Sequence, residues 1–197
     1  MTDPTARLSA FQPAGSAPLR PPVLPPSDVS YVVEDTPIGR MLLARNDFGA
    51  LVASAFVATA EDEDRVLTRL SERVSPRVLR QPGELDEART QLEAFLDGRT
   101  RGFSLRTDLA LASDFQRAVL PRLAETVGYG DRATYGELAA RVDRPSAARA
   151  VGAALGANPL CVVLPCHRIV ASSGALTGYA GGLEAKRYLL ELEASHH

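Results

Sequence analysis

The chain has 197 residues, of which 45% are hydrophobic, and a formal net charge of −2. These values suit one large domain or two small ones and exclude a disordered chain. No apolar run reaches the roughly 18 residues of a membrane span, and the first ten residues show no basic stretch followed by an apolar one, so a cytoplasmic location is expected.

Residues 1–27 are Pro-rich, with Pro21-Pro22 and Pro25-Pro26, and read as an extended or flexible tail ending near residue 28. From Val29 to Val57, short apolar runs alternate with the turns Thr36-Pro37-Ile38-Gly39 and Asn46-Asp47-Phe48-Gly49, which predicts antiparallel strands. Two helices are expected next. One runs from about Asp62 to Val74, with Val66, Leu67 and Leu70 on one face. The other runs from about Leu85 to Leu96 and stops at Gly98. The fold class is therefore α+β, with a small amino-terminal domain over 29–107 that carries no catalytic constellation.

Residues 108–195 read as mainly helical. Ser113 and Gln116 form a capping box for a helix to about Val127, which Pro121 should kink or interrupt. Gly128-Tyr129-Gly130-Asp131 is a turn. Thr134 and Glu137 are spaced to cap a helix to about Val142, Asp143-Arg144-Pro145 breaks it, and Ser146 is expected to cap the next, to about Ala157. Two short helices so joined are a helix-turn-helix candidate. The second is made of small residues, with Arg149 as its only long charged side chain. Close packing on a neighbouring helix and entry into a DNA groove both fit it. Between Asp131 and Arg168, arginines 132, 141, 144, 149 and 168 outnumber the acids 131, 137 and 143, a weak positive patch.

The cysteines are Cys161 and Cys166, and the only internal histidine is His167; His196 and His197 look like a tag remnant. This inventory makes neither a disulfide framework nor a zinc site, and no cofactor motif is present. Leu160 to Leu164 reads as a buried extended segment, with Cys161 as a packed core thiol. Cys166 sits beside a potential base, and a thiol becomes a nucleophile when a base or cation favours its thiolate. Adjacency in sequence does not ensure that contact, so these residues alone leave the reactivity of Cys166 open.

Asn158-Pro159, Pro165-Cys166-His167-Arg168-Ile169-Val170, Ser173-Gly174 and Gly178-Tyr179-Ala180-Gly181-Gly182 together resemble the active-site signature of the O6-alkylguanine-DNA alkyltransferases. Tyr129-Gly130, Thr134 to Ala139 and Ala147 to Gly152 resemble the same family in order and spacing, so the likeness spans about Phe115 to Glu193. The amino-terminal half resembles the family more loosely, through Thr36 to Gly39.

The resemblance implies direct-reversal DNA repair by a methylated-DNA–protein-cysteine methyltransferase. An alkyl group would pass from O6-alkylguanine in duplex DNA to Cys166, once per molecule, with O4-alkylthymine as a further substrate left open. His167 would take the thiol proton through a water, Glu193 would orient His167, Tyr135 would bind and stabilise the leaving guanine, and Asn158 would pin the turn before the active-site segment. Ala147 to Ala157 would enter the minor groove, with Ala147, Ala148, Ala150 and Gly152 allowing close approach, Thr134 and Arg168 assisting, and Arg149 filling the place of a flipped nucleotide. Arg168 is also expected to support the site structurally. Tyr179, Ala180, Gly181 and Lys186 would form or adjoin the base pocket. The implied partner is double-stranded DNA, with no metal, cofactor or membrane, bound by a monomer in the cytoplasm, at the nucleoid of a bacterium; side-by-side binding on DNA is left open.

The chain departs from the family in having no tryptophan: Pro121 and Tyr188 stand where one is common, and Ala180 stands where serine or glycine is common. A lesion-binding module without transfer, a cysteine hydrolase and a transcription factor are the competing classes. Cys166 argues against the first. The second lacks a separate oxyanion-hole signature, and the third would leave the cysteine array idle.

Overall fold

A computed structural model of the chain describes residues 28–195; the Pro-rich stretch 1–27 and the terminal histidine pair lie outside the described residues. Strands β1 (Val29–Thr36), β2 (Gly39–Asn46) and β3 (Leu51–Phe56) form an antiparallel meander. The expected turns join them: the Thr36 hydroxyl donates to the Gly39 carbonyl at 2.6 Å, and Gly49 takes φ +78°, a left-handed value that glycine adopts without penalty. A fourth strand, β4 (Val78–Arg80), was not foreseen. It pairs with β1 in parallel, which gives the order β3-β2-β1-β4, and helix α1 (Ala60–Arg73) lies in the connection from β3.

The sheet is buried on both faces, which explains why β2 reads as a continuous apolar run rather than an alternating one. Leu42, Ala44 and Val52 pack with Leu70 of α1. Met41, Leu43 and Val32 pack with Phe95 and Leu92 of helix α2 (Asp86–Leu96), and that cluster continues through Val119 and Leu189 to Cys166. One hydrophobic cluster therefore crosses the expected domain boundary at residues 107–108.

Helix starts follow side-chain caps. Thr59 and Asp62 form a capping box that starts α1 two residues earlier than expected. A 3-10 turn, Pro82–Leu85, precedes α2, which begins at Asp86 rather than Leu85. Helix α3 (Asp114–Thr126) has the expected Ser113–Gln116 box. Pro121 does not interrupt it: α3 is one continuous helix, whose Val119, Leu120 and Leu123 are buried, and tertiary packing outweighs the lost backbone bond.

Thr134 caps α4 (Tyr135–Arg141) through reciprocal bonds with Glu137. The chain leaves α4 through Asp143 at φ +58°, with Arg144 N–H bonded to Ala139 O and Asp143 N–H to Ala140 O, a Schellman closure built on aspartate. Ser146 does not cap the next helix. Helix α5 runs Ala148–Gly156 with Ala147 at its N-cap and no side-chain cap bond. A two-strand parallel ladder, β5 (Ala133–Thr134) with β6 (Ile169–Val170), ties the start of α4 to the end of the cysteine turn. Helix α6 (Gly182–Ser195) closes the fold. No described helix is long and apolar enough to cross a membrane.

Candidate active site

The segment Leu160 to Leu164 is a tight turn rather than the expected buried extended segment. Val162 takes φ +72°, and the Leu164 N–H closes onto the Leu160 carbonyl at 2.8 Å. The turn is anchored from outside by β3. Ser54 donates its N–H to Pro159 O and its hydroxyl to Cys161 O, and its carbonyl accepts from the Cys161 N–H, each at 2.8 Å. After this turn Cys166, His167 and Arg168 form one 3-10 turn, all three buried.

Asn158, the second residue after α5, fixes the nucleophile. Its Nδ2 donates to Leu164 O at 3.0 Å and to Cys166 Sγ at 3.2 Å, and its Oδ1 accepts from the Leu160 N–H at 3.0 Å. The neighbouring Cys161 thiol holds the Cys166 thiol below the usual range; burial opposes this, and the Asn158 amide and the Lys186 charge reinforce it. Lys186, 1% exposed, donates from Nζ to Ile169 O at 2.6 Å and to Thr177 O at 3.2 Å.

His167 faces Glu193 of α6, with Nε2 2.8 Å from Oε1. Glu193 also accepts from Arg168 Nε and Nη2 and from the Gly130 N–H at 3.1 Å. Burial pushes the Glu193 carboxyl up, but the hydrogen bonds and charges of His167 and Arg168 outweigh it and hold the group at about 2. Burial lowers His167 below its ordinary value, with Glu193 opposing, so the ring is neutral at neutral pH. A carboxylate only accepts, so Nε2 carries the ring proton and Nδ1 carries the free lone pair. Nδ1 is buried with no protein partner, and no direct bond joins His167 to Cys166 among the described contacts.

Arg168 is not at a DNA-facing surface, as its expected place among the DNA contacts would require. It is buried, and its guanidinium is committed to Glu193 and to Val127 O at 2.8 Å, which sets it behind the histidine. The Thr134 hydroxyl is likewise used in its cap.

Beside this turn lies an open cavity of about 620 Å³ lined by Tyr135, Ala148, Arg149, Gly152, Gly156, Thr177, Gly178, Tyr179 and Ala180. The Tyr135 hydroxyl pairs with Thr177 Oγ1 at 2.8 Å, and Gly152 leaves room beside the Tyr135 ring. The Tyr179 ring packs edge-to-face with His167, centroids 6.5 Å apart, and with Phe56, centroids 5.5 Å apart. Gly181 and Lys186 do not line this cavity. Gly181 lines a neighbouring one, where a Cβ would lie 2.5 Å from Phe56 Cζ, and the Lys186 amine is turned to backbone carbonyls. On α5, Val151, Ala154 and Leu155 are buried, while Arg149, Ala150 and Ala153 face outward with Ala147, Ala148 and Gly152 half-buried at their flank. The packing reading therefore holds for the face of Val151, Ala154 and Leu155, and the opposite face of small residues is open to solvent.

A sequence model described as the DNA-binding domain of 6-O-methylguanine DNA methyltransferase matches residues 114–195. The methylated-DNA–protein-cysteine methyltransferase of Mycobacterium tuberculosis is 38% identical over 167 residues, covering 85% of this chain and 93% of that protein. The chain belongs to the methylated-DNA–protein-cysteine methyltransferase family. The relative of that name from Methanosarcina acetivorans is 36% identical over 168 residues, covering 84% of this chain and 98% of its own length. Among solved structures, the M. tuberculosis O6-methylguanine methyltransferase aligns with TM-score 0.73 at 37% identity, over 86% of this chain and 94% of that one. The M. tuberculosis protein in complex with DNA aligns with TM-score 0.72 at 36% identity, over 85% and 94%.

Three residues that position this family site were not found from the sequence. Ser54 and Phe56 come from the half expected to carry no chemistry, and nothing local marks them. Gln116 was read only as a cap partner. Its Oε1 accepts from the Ser113 N–H at 2.8 Å, and its Nε2 also donates to Ala154 O at 3.0 Å and Ala157 O at 2.7 Å, which closes the end of α5.

Proposed function

We propose that this chain repairs O6-alkylguanine in duplex DNA by moving the alkyl group to Cys166, once per molecule. The observation that carries this reading is the Asn158–Cys166 bond, which ties a thiol poised to ionise to the end of a helix offering small residues and Arg149 to solvent. Cys166 gives up its proton to His167 Nδ1 through a water, and Glu193 stabilises the resulting imidazolium. The thiolate attacks the alkyl carbon, a C–S bond forms, and the C–O6 bond breaks with its electron pair going to guanine O6. Tyr135 donates to the departing base as charge develops there, and Tyr179 walls the pocket.

The base reaches the thiol only after leaving the duplex, at a cost of roughly a few kcal/mol. Arg149, exposed at the start of α5, fills the vacated place, and the small outward residues allow the minor-groove approach. Double-stranded DNA is the partner, and the work belongs to the cytoplasm and nucleoid. The thioether formed is a poor leaving group, so nothing in the site regenerates the thiol.

Intact and peptide mass analysis after incubation with duplex carrying one O6-methylguanine tests this. The expected result is one methyl group per protein, on the peptide containing Cys166. Turnover without modified protein overturns the single-use mechanism, and tight binding without any mass change overturns transfer.

A further inference from the structure

Cys161 has so far only a packing role, yet its placement is unusually constrained. Ser54 grips its backbone on both sides, through its N–H and its carbonyl, each at 2.8 Å. The reversal at Val162 then folds the chain so that both thiols meet Asn158. Cys161 Sγ donates to the Asn158 carbonyl at 3.4 Å, while the Asn158 amide donates to Cys166 Sγ at 3.2 Å. The neighbouring Cys166 thiol and burial push Cys161 up, and the Cys161 thiol holds Cys166 down. Of the pair, Cys166 takes the charge, because Asn158 and Lys186 favour it there, and Cys161 keeps its proton.

That proton has two possible acceptors. The Asn158 carbonyl is neutral, and a hydrogen bond to a thiolate is stronger than one to a neutral acceptor. We propose that Cys161 is a positioning residue for the nucleophile: its S–H turns from the Asn158 carbonyl onto the Cys166 sulfur when that sulfur ionises, and holds the thiolate in place for attack. The step moves one thiol hydrogen between acceptors, and no covalent bond changes. Once Cys166 is a thioether it accepts only weakly, and the proton returns to the Asn158 carbonyl. This deepens the reading of Cys166 as the alkyl acceptor and rests on it.

The other groups facing Cys166 are Asn158 after α5, Tyr179 before α6 and Lys186 on α6, and all stay unchanged in the test. The full chain is compared with Cys161→Ser, which keeps a donor, and Cys161→Val, which keeps the volume without one. Cys161→Ala, also without a donor, replaces valine if the larger side chain prevents folding. Two readouts are taken against pH: the rate of methyl transfer from duplex carrying O6-methylguanine, and ultraviolet thiolate absorbance referenced to Cys166→Ser. The donor-free variant should titrate about one pH unit higher and react about tenfold more slowly below its midpoint, while serine stays close to wild type. An unshifted donor-free variant, or equal shifts in serine and valine, overturns the proposal. If the wild type transfers nothing to Cys166, the underlying reading fails, and the absorbance titration still decides the thiol pair.

Discussion

The Nε2 atom of His167 lies 2.8 Å from Oε1 of Glu193, and both side chains are sealed from solvent. The pair links the last helix to the nucleophile turn, and it makes stability depend on pH. Glu193 is held at about 2, below its unfolded value, so it stabilises the fold above the ordinary carboxylate range. That contribution, of the order of 3 kcal/mol, is lost as pH falls from about 4.3 through about 2. His167 is also held below its unfolded value, so its share begins to be lost earlier, as pH falls below about 6.5. Glu193→Gln should be about 3–5 kcal/mol less stable at neutral pH, because buried Arg168 loses its counter-charge. In urea denaturation the gap to wild type should narrow as pH falls below about 4.3, and a gap unchanged between about pH 4.3 and about 2 would refute the assignment.

Asn158→Asp keeps the oxygen that accepts from the Leu160 N–H but replaces the amide that donates to Cys166 Sγ with negative charge. The thiol should titrate at least about one unit higher, which lowers transfer about tenfold at neutral pH. Transfer rates across pH check this, and recovery at alkaline pH separates it from simple unfolding.

At Gly181 an added Cβ would meet three atoms of the Phe56 ring at 2.5–2.8 Å. That ring packs on Tyr179, so Gly181→Ala should displace both and slow transfer while costing about 1–3 kcal/mol. Combining it with Phe56→Leu should recover part of the loss; a double variant no better than the product of the two single ones would show that the clash lies elsewhere.

Gln116→Glu retains an oxygen for the Ser113 N–H and loses both bonds to the α5 carbonyls. A carboxylate would face two acceptors, at a cost of about 1–3 kcal/mol. Thermal unfolding should show the loss, and Gln116→Met, which removes the polar atoms without adding charge, should be milder.

Arg149 is exposed, so Arg149→Ala should leave thermal stability unchanged. If Arg149 fills the place of a flipped nucleotide as proposed, transfer from duplex should fall about tenfold or more, since flipping costs roughly a few kcal/mol. Transfer from free O6-benzylguanine should change much less. Equal losses on both substrates would place Arg149 in the chemistry rather than in flipping.

The parts legible in the sequence are those with local chemistry. The Ser113 and Thr134 capping boxes, the Gly98 stop and the strand turns depend on residues within a few positions of each other, and the structure has them where the spacing puts them. The Cys166 box was legible through its family pattern, and Glu193 does reach His167. What escaped depends on long-range contact. Pro121 is tolerated because packing outweighs one backbone bond. Ser146 stops short of capping, and Leu160 to Leu164 turns because Asn158 and Ser54 bind its backbone from other elements. The parallel strand β4 has only three residues and no period to announce it. Arg168 was expected to face both DNA and the site's interior, and only burial distinguishes these.

The bonds between Ser54 and the cysteine turn make that turn a short extra rung on the edge of β3, through the Ser54–Leu160 bridge. The Cys161 amide hydrogen is therefore protected by a strand more than a hundred residues earlier in the chain. Its exchange with deuterated solvent should keep pace with the β3 edge rather than with the surface loop before α6, so a single slow amide would report, in an intact molecule, whether the first half still grips the second.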